Sequence, residues 1–138
     1  MYDPKGARPQ VAKTLGNTLP GDGALFHGRG LVQLTGRGLY AKATAKLQQL
    51  GVLKPTESLV NNPELAKRDD IACALLFEGM EGGWFTGKDL DDYIDPQING
   101  DEEKDFENAR RIINGTDRAA LIAGYSMKFL TALKASAV

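Results

Sequence analysis

The sequence predicts a mainly α-helical fold with one or two short strands. Apolar residues recur three and four positions apart over four long segments, as they do on the buried face of a helix. A glycine or an Asn-Gly step follows several of these segments, which is typical of helix ends. One short run of β-prone residues, 31–34, is the clearest candidate for a strand.

The first part of the chain indicates little regular structure. Residues 1–25 are rich in glycine, proline and polar residues, and no apolar period runs through them. We therefore expect an irregular N-terminal arm over 1–25, followed by one partial domain over 26–138. The length of 138 residues suits a single domain, and so long an arm is expected to pack on another element.

A strand and a helix open the domain. Thr35 follows the strand 31–34 and is the expected N-cap of a helix over about 37–50, because its hydroxyl can accept a backbone N–H. Gly51 is positioned to end that helix.

A helical turn and a second long helix come next. Asn62 and Pro63 predict the turn, with the proline in its first position. Asp69 or Asp70 is the expected start of a helix over about 70–81. The apolar side chains expected on its inward face are Ala72, Leu75, Leu76 and Met80.

Two further helices are predicted over about 103–113 and 117–133. A loop over 95–101 precedes the first of them, and an Asn-Gly step ends it. Thr116 is the expected N-cap of the second. The side chains expected to face inward are Phe106, Ala109, Ile112 and Ile113 on one helix, and Ile122, Tyr125, Phe129 and Leu133 on the other.

Charge and hydropathy exclude several classes of partner. The formal net charge is −1 and the 17 basic residues are scattered, so nucleic acid is not an expected partner. No apolar run approaches the roughly 18 residues of a membrane span, so we expect no membrane insertion. No signal-peptide pattern opens the chain, and we expect a protein that is cytoplasmic as synthesised.

The single cysteine and the single histidine limit the chemistry. Cys73 has no partner for an internal disulfide, and its apolar helical surroundings predict a buried hydrophobic role. His27 alone cannot form a multi-histidine metal site. We expect neither a metal nor another cofactor.

One glycine-rich segment carries most of the functional signal. Gly28 and Gly30 flank Arg29, whose planar guanidinium can bind a carboxylate. Gln33 and Thr35 are two positions apart, so in a strand they would face the same side. An amide beside a hydroxyl suits the binding of sugar hydroxyls, acetamido groups or a water. The other interpretation is a turn, a strand and a helix cap, with Gln33 merely solvated.

These residues also resemble a known family. The run from Phe26 to Tyr40, with its Gly-Arg-Gly and Gln-Leu-Thr steps, is similar to the substrate-groove signature of glycoside hydrolase family 19, which contains chitinases and phage endolysins. The resemblance extends over roughly residues 20–134. Further blocks similar to the family's follow in its order, at 59–65, 71–87, 109–117 and 123–125.

The resemblance implies a lysozyme-like helical fold with a cleft, and inverting hydrolysis of chitin or peptidoglycan without a cofactor. The polysaccharide would be the partner and the cell wall the target, reached by lysis or another release route. Thr35 matches the residue that positions the attacking water. The matches for substrate-binding positions are Gln33, Asn114, Tyr40 and Arg29, although a helix-ending role suits Asn114 and a structural role suits Arg29.

The chain departs from the family pattern at two positions of the motif. His27 stands where the family often has an aromatic residue, and Leu39 stands where it often has a sugar-binding asparagine. A leucine side chain can neither donate nor accept a hydrogen bond, so that contact would be lost or supplied elsewhere.

The family's two catalytic glutamates are expected before the motif, but residues 1–27 contain no glutamate and only two acids, Asp3 and Asp22. We therefore expect an N-terminally truncated relative that lacks the family's first helices and has impaired hydrolysis. The alternative is a non-catalytic module that binds a sugar polymer or a partner chain, and a third possibility is a split protein. A homodimer that covers the exposed half of the groove is a further expectation.

Overall fold

Helices dominate the computed structural model, which describes residues 2–94 and 100–137, and the mainly helical prediction is confirmed. The described residues contain no strand, only an isolated antiparallel bridge between Arg29 and Leu34. The helices in chain order are α1 (Pro9–Thr14), α2 (Asp22–Leu25), α3 (Arg37–Gln49), α4 (Asp69–Glu81), α5 (Glu102–Ala109) and α6 (Ala119–Ser136). Two short 3₁₀ segments accompany them, Pro63–Lys67 and Arg110–Ile112.

The chain divides into two compact units, and the boundary falls after Glu78, within α4. The expected division at residue 25 is not where this boundary lies, since residues 1–25 belong to the first unit. The two units are described separately below. Across the described residues, none of the helices combines the length and the apolar character needed to cross a lipid bilayer.

The core of the first unit is built on α3. Tyr40, Ala43 and Leu47 have no exposed surface, and their spacing of three and four residues puts them on one face of the helix. The helix begins and ends close to the predicted positions, and Gly51 follows it with a φ of +73°. Other side chains with at most 1% exposure complete this core: Phe26, Leu34, Leu53, Leu59, Ile71 and Leu75.

The prediction of an irregular arm over 1–25 is wrong in part, because this segment contains α1 and α2. Ala12 of α1 is fully buried. Gly23 of α2 lies so close to the backbone of Tyr2 and Asp3 that a Cβ atom there would be 2.7 Å from each. Helices of six and four residues are too short to show an apolar period, and contacts with the rest of the unit stabilise them.

Thr35 is not the N-cap of α3, although the sequence predicts that role. Its Oγ1 donates to the carbonyl oxygen of Gln33 at 2.7 Å. Gly36 occupies the cap position with a φ of +91°, and a Cβ atom there would lie 2.6 Å from the carbonyl oxygen of Leu15. Only glycine fits this close approach.

The first N–H groups of α3 are bound by residues from the N-terminal segment. Asn17 Oδ1 accepts from Arg37 N at 2.8 Å, and the carbonyl oxygen of Leu15 accepts from Gly38 N at 3.0 Å. The Nδ2 of Asn17 also donates to the carbonyl oxygen of Tyr2 at 2.7 Å. Asn17 therefore connects the start of the chain to the start of α3, and its side chain is buried.

Asp22 reinforces the same connection. Its Oδ2 accepts from Thr18 N and Leu19 N, each at 2.9 Å, and its two oxygens accept from Arg37 Nη2 at 2.6 Å and Nε at 2.9 Å. The bidentate Arg37 guanidinium, followed by the two backbone N–H groups, holds the pKa of the Asp22 carboxyl at about 2 even though burial opposes this.

The second unit contains α5 and α6, which pack together. Asp101 caps α5, because its Oδ1 accepts from Lys104 N at 3.1 Å. The predicted helix over 103–113 is observed as α5 followed by the 3₁₀ segment, and Gly115 turns the chain with a φ of +60°. Of the loop expected over 95–101, residues 95–99 lie outside the described residues.

The predicted inward face of α6 is wrong for three of its four residues. Tyr125, Phe129 and Leu133 are 49%, 73% and 65% exposed, whereas Ala119 and Ala123 are buried. Tyr125 is two residues beyond Ala123, which puts it about 200° further around the helix. Because α6 is apolar on more than one side, its periodicity does not reveal which side packs against α5.

The predicted cap of α6 is also wrong. Thr116 contributes its backbone carbonyl, which accepts from Ala119 N at 3.2 Å. Arg118 occupies the cap position instead, in the left-handed conformation with a φ of +51° and no side-chain cap bond. The chain turns sharply here through backbone geometry that the sequence pattern does not indicate.

We predict that Asn17→Ala lowers the free energy of unfolding by about 2 kcal/mol, because it removes a buried helix cap and leaves Arg37 N and the Tyr2 carbonyl without a partner. Urea unfolding followed by circular dichroism measures the effect. Thr14→Ala is the control, since its exposed hydroxyl bonds only within α1. Equal stability of both variants would contradict the role of Asn17.

We predict that the stabilisation from Asp22 disappears in acid. Its pKa of about 2 lies below the ordinary value of 3.8, so the carboxylate stabilises the fold above about pH 4, and this contribution falls as the pH drops towards 2. The loss caused by Asp22→Asn should be on the order of 2 kcal/mol near neutral pH and shrink in acid. Asn17→Ala removes an uncharged group, so its loss should not change; a constant Asp22→Asn loss would refute the prediction.

Candidate functional site

Residues 28–35 form a turn, here called the motif loop, and the strand predicted over 31–34 is wrong. Arg29 N donates to the Leu34 carbonyl at 3.2 Å, and Leu34 N donates to the Arg29 carbonyl at 2.9 Å. Between these bonds the chain reverses direction through Gly30 and Gln33, whose φ values are +69° and +53°. A run of β-prone residues cannot extend between two left-handed positions.

Gln33 and Thr35 nevertheless come together, although not through strand alternation. A Cβ atom at Gly28 would lie 2.8 Å from Gln33 Oε1 and 3.3 Å from Thr35 Oγ1, so both side chains converge over this glycine. Gln33 is exposed and Thr35 is half-buried. We call these two side chains the polar pair.

The hydrogen bonds of the polar pair define what it can bind. Thr35 Oγ1 uses its proton to reach the Gln33 carbonyl, so the hydroxyl can only accept from a ligand. Gln33 Nε2 donates one hydrogen to the Gly30 carbonyl at 3.1 Å and retains a second. The pair thus offers two acceptor oxygens and one donor hydrogen on one surface, which suits a water molecule or adjacent polar groups of a sugar.

Arg29 is a structural residue here, which corrects its assignment as a substrate contact. It is only 6% exposed. Its Nε donates to Glu64 Oε1 at 2.8 Å, and its Nη1 donates to the Leu25 carbonyl at 2.8 Å and the Tyr40 hydroxyl at 3.1 Å. Burial alone would lower the Arg29 pKa, but the bonds with Tyr40 and Glu64 raise it, so the guanidinium stays charged.

Tyr40 is likewise not a direct sugar contact, because it has no exposed surface. Its hydroxyl accepts from Arg29 and donates to the His27 carbonyl at 3.0 Å. Burial raises the pKa of this phenol, and the Arg29 guanidinium only partly opposes that shift. The residue is therefore a neutral hydrogen-bonding element of the core under the motif loop.

The motif differs from the family that it resembles at two positions, His27 and Leu39. These two side chains differ in exposure. His27 is exposed, and its Nδ1 lies 2.7 Å from the Ala24 carbonyl. A carbonyl oxygen only accepts, so Nδ1 carries the proton and a neutral ring would present Nε2 as an acceptor. Leu39 is half-buried in α3 and supplies no polar group.

Asn114 belongs to the second unit, so a groove that it shares with the polar pair stays a prediction. Its side chain is exposed, and with the amide oriented to suit the neighbouring guanidinium, Oδ1 accepts from Arg110 Nη2 at 2.8 Å. Arg110 Nε also donates to the Asp117 carbonyl at 3.1 Å. Asn114 thus has a local role after α5, which agrees with the helix-ending interpretation.

Three acids of the first unit, Asp3, Asp22 and Glu64, are engaged in hydrogen bonds or ion pairs within the protein. The Asp22 pKa is about 2, and Asp3 Oδ2 accepts from Gly21 N at 2.6 Å. Lys67, followed by Arg29, holds the pKa of the Glu64 carboxyl below its ordinary value.

Among the described residues, no group of three or more His, Cys, Asp or Glu side chains is placed to hold a metal ion.

Sequence reasoning missed two features near the motif loop. Glu64 is exposed, and it pairs with the buried Arg29 at a sequence distance of 35 residues, which no local pattern indicates. Cys73, expected to be buried, is exposed. It helps to line a depression of about 360 Å³ together with Gly30, Leu31, Lys67, Asp69 and Ala72.

Comparison of the chain with known protein families, with curated proteins and with solved structures finds no match.

We predict that Gln33→Gly raises the free energy of unfolding by about 0.5–1 kcal/mol, because glycine adopts the left-handed conformation without steric cost. Arg118→Gly tests the same effect at a φ of +51° in the second unit and should also stabilise. Leu31→Gly, at an exposed neighbour outside the left-handed region, should destabilise. Urea unfolding measures all three, and a loss of stability in Gln33→Gly would refute strain at this position.

Proposed function

We propose that this chain binds an N-acetylated cell-wall glycan, chitin or peptidoglycan, and that it is a lysozyme-like relative of glycoside hydrolase family 19. The observation that carries the proposal is the convergence of the polar pair over Gly28 on an accessible surface. These are the two residues of the motif that the resemblance assigns to substrate and water, and they meet in space even though the predicted strand is absent.

The chemistry of the polar pair suits a sugar. Hydroxyl groups of a sugar both donate and accept, and its acetamido group offers one N–H and one carbonyl oxygen. Thr35 Oγ1 and Gln33 Oε1 can accept from such donors, while the second hydrogen of Gln33 Nε2 can donate to a carbonyl. Both side chains are fixed by intramolecular hydrogen bonds, so little side-chain entropy would be lost on binding.

Binding without efficient hydrolysis is the better-supported form of the proposal. Inversion requires one carboxylic acid that can donate a proton and one carboxylate that activates water. A general acid at neutral pH needs a raised pKa, whereas the pKa values of Asp22 and Glu64 are lowered by their cationic partners. Neither group can act as the acid while it is held in this way.

An inverting hydrolase is the second candidate, and the Thr35 hydroxyl favours it. With its own proton committed to the Gln33 carbonyl, Thr35 can accept a hydrogen bond from a water molecule and fix its position. A hydroxyl cannot act as the base at neutral pH, so this candidate needs a carboxylate that the geometry does not identify. A homodimer and a target in the cell wall remain parts of the proposal.

We predict that the chain binds chitohexaose but neither releases chitin fragments nor clears permeabilised bacterial cells. Gln33→Ala and Thr35→Ala should each weaken binding about tenfold, the effect of losing one good hydrogen bond. Titration calorimetry measures binding, and turbidity and reducing-end assays measure hydrolysis, with an active lysozyme as the positive control.

Gln49→Ala and Thr14→Ala are the matched controls, since they remove the same side-chain types from exposed positions in α3 and α1. Both should bind like the unmodified chain. Unchanged affinity in Gln33→Ala and Thr35→Ala would remove the polar pair from the site. Lysis at the rate of the lysozyme control would show that one of the acids donates a proton despite its pairing.

A further inference from the structure

An exposed carboxylate is linked to the motif loop through a buried charge. The Glu64 side chain is 58% exposed, yet its Oε1 accepts from Nε of Arg29, whose side chain is 6% exposed, at 2.8 Å. A buried guanidinium is stable only when acceptors surround it, and Glu64 is the carboxylate that pairs with it. The orientation of the guanidinium therefore depends on a residue at the surface.

The other end of the guanidinium holds the backbone that supports the polar pair. Arg29 Nη1 donates to the carbonyl oxygens of Leu25, at 2.8 Å, and His27, at 3.2 Å. The His27 carbonyl belongs to the peptide bond that leads into Gly28. Because the guanidinium is planar and rigid, its Nε and Nη1 cannot reorient independently.

We infer that Glu64 is a positioning residue which orients Arg29 and thereby fixes the Gly28 backbone and the polar pair in the geometry that binds the ligand. The inference rests on the proposed glycan-binding function of that pair. Lys67 Nζ also contacts Glu64 Oε2 at 2.7 Å, but both side chains are exposed, so this pair contributes little to the position of the carboxylate. Glu64 acts on the site from a distance and need not touch the sugar.

An ion pair between two exposed side chains would not affect the motif loop in this way. Exposed pairs contribute little, and the loss of one leaves neighbouring loops where they were. Glu57 provides this comparison within the first unit, because its Oε1 accepts from Arg68 Nη1 at 2.9 Å and Arg68 is 40% exposed. The two glutamates make equally close contacts with an arginine, but only Arg29 is buried.

The test compares Glu64→Gln with Glu57→Gln by ¹H–¹⁵N nuclear magnetic resonance of the full chain without ligand. Glu64→Gln should shift the Arg29 Nε–H signal and the amide signals of Gly28, Gln33 and Thr35, with little change in the urea midpoint. Glu57→Gln should leave these signals in place. Lys67→Met, which retains the Arg29 pair, should also leave them in place.

The second measurement is the affinity of the same variants for chitohexaose. Glu64→Gln should weaken binding about tenfold, and both control variants should match the unmodified chain. Unshifted loop signals, or shifted signals with unchanged affinity, would overturn the role of Glu64. If the unmodified chain does not bind the sugar, the proposed function fails, and the loop signals alone decide whether Glu64 positions the motif loop.

Discussion

The first unit depends on how it accommodates one buried positive charge. An unpaired guanidinium in a protein interior costs several kcal/mol, so Arg29 requires acceptors on every side that the core closes off. The Leu25 carbonyl at the end of α2, the Tyr40 hydroxyl in α3 and the Glu64 carboxylate in the 3₁₀ segment supply them. Three separate elements thus contact one side chain, which itself belongs to the motif loop.

A second charged group, Arg37, lies three residues before Tyr40 on α3 and binds Asp22. The side chain of Phe26 stands between the two arginine networks. The Arg37 guanidinium lies 4.6 Å from the centre of its ring, and the Tyr40 ring lies 5.2 Å from it. Cation–π and aromatic contacts of this kind stabilise by about 0.5–2 kcal/mol each. The N-terminal segment is therefore part of the same core and not an appendage.

Local signals in the sequence predicted the long helices well and the caps and turns poorly. The apolar period of α3 and its terminal Gly51 were sufficient to place that helix. Its cap was not predictable, because Asn17 acts from 20 residues away and local motifs contain no such information. The apolar run before Leu34 indicated a strand, but the left-handed conformation of Gln33 excludes one. Gln33 and Thr35 were expected on one side of a strand, and they converge over Gly28 through a turn instead, while their role in binding stays a prediction.

The ion pairs of the first unit also limit the chemistry of their carboxylates. Arg37 orients the N-terminal segment by binding Asp22, and the same contact keeps that carboxyl ionised. Lys67 and Arg29 act in the same way on Glu64. A carboxylate that stabilises a cation through its negative charge cannot at the same time have the raised pKa of a general acid. Holding an arginine in place and donating a proton are therefore incompatible tasks for these two carboxylates.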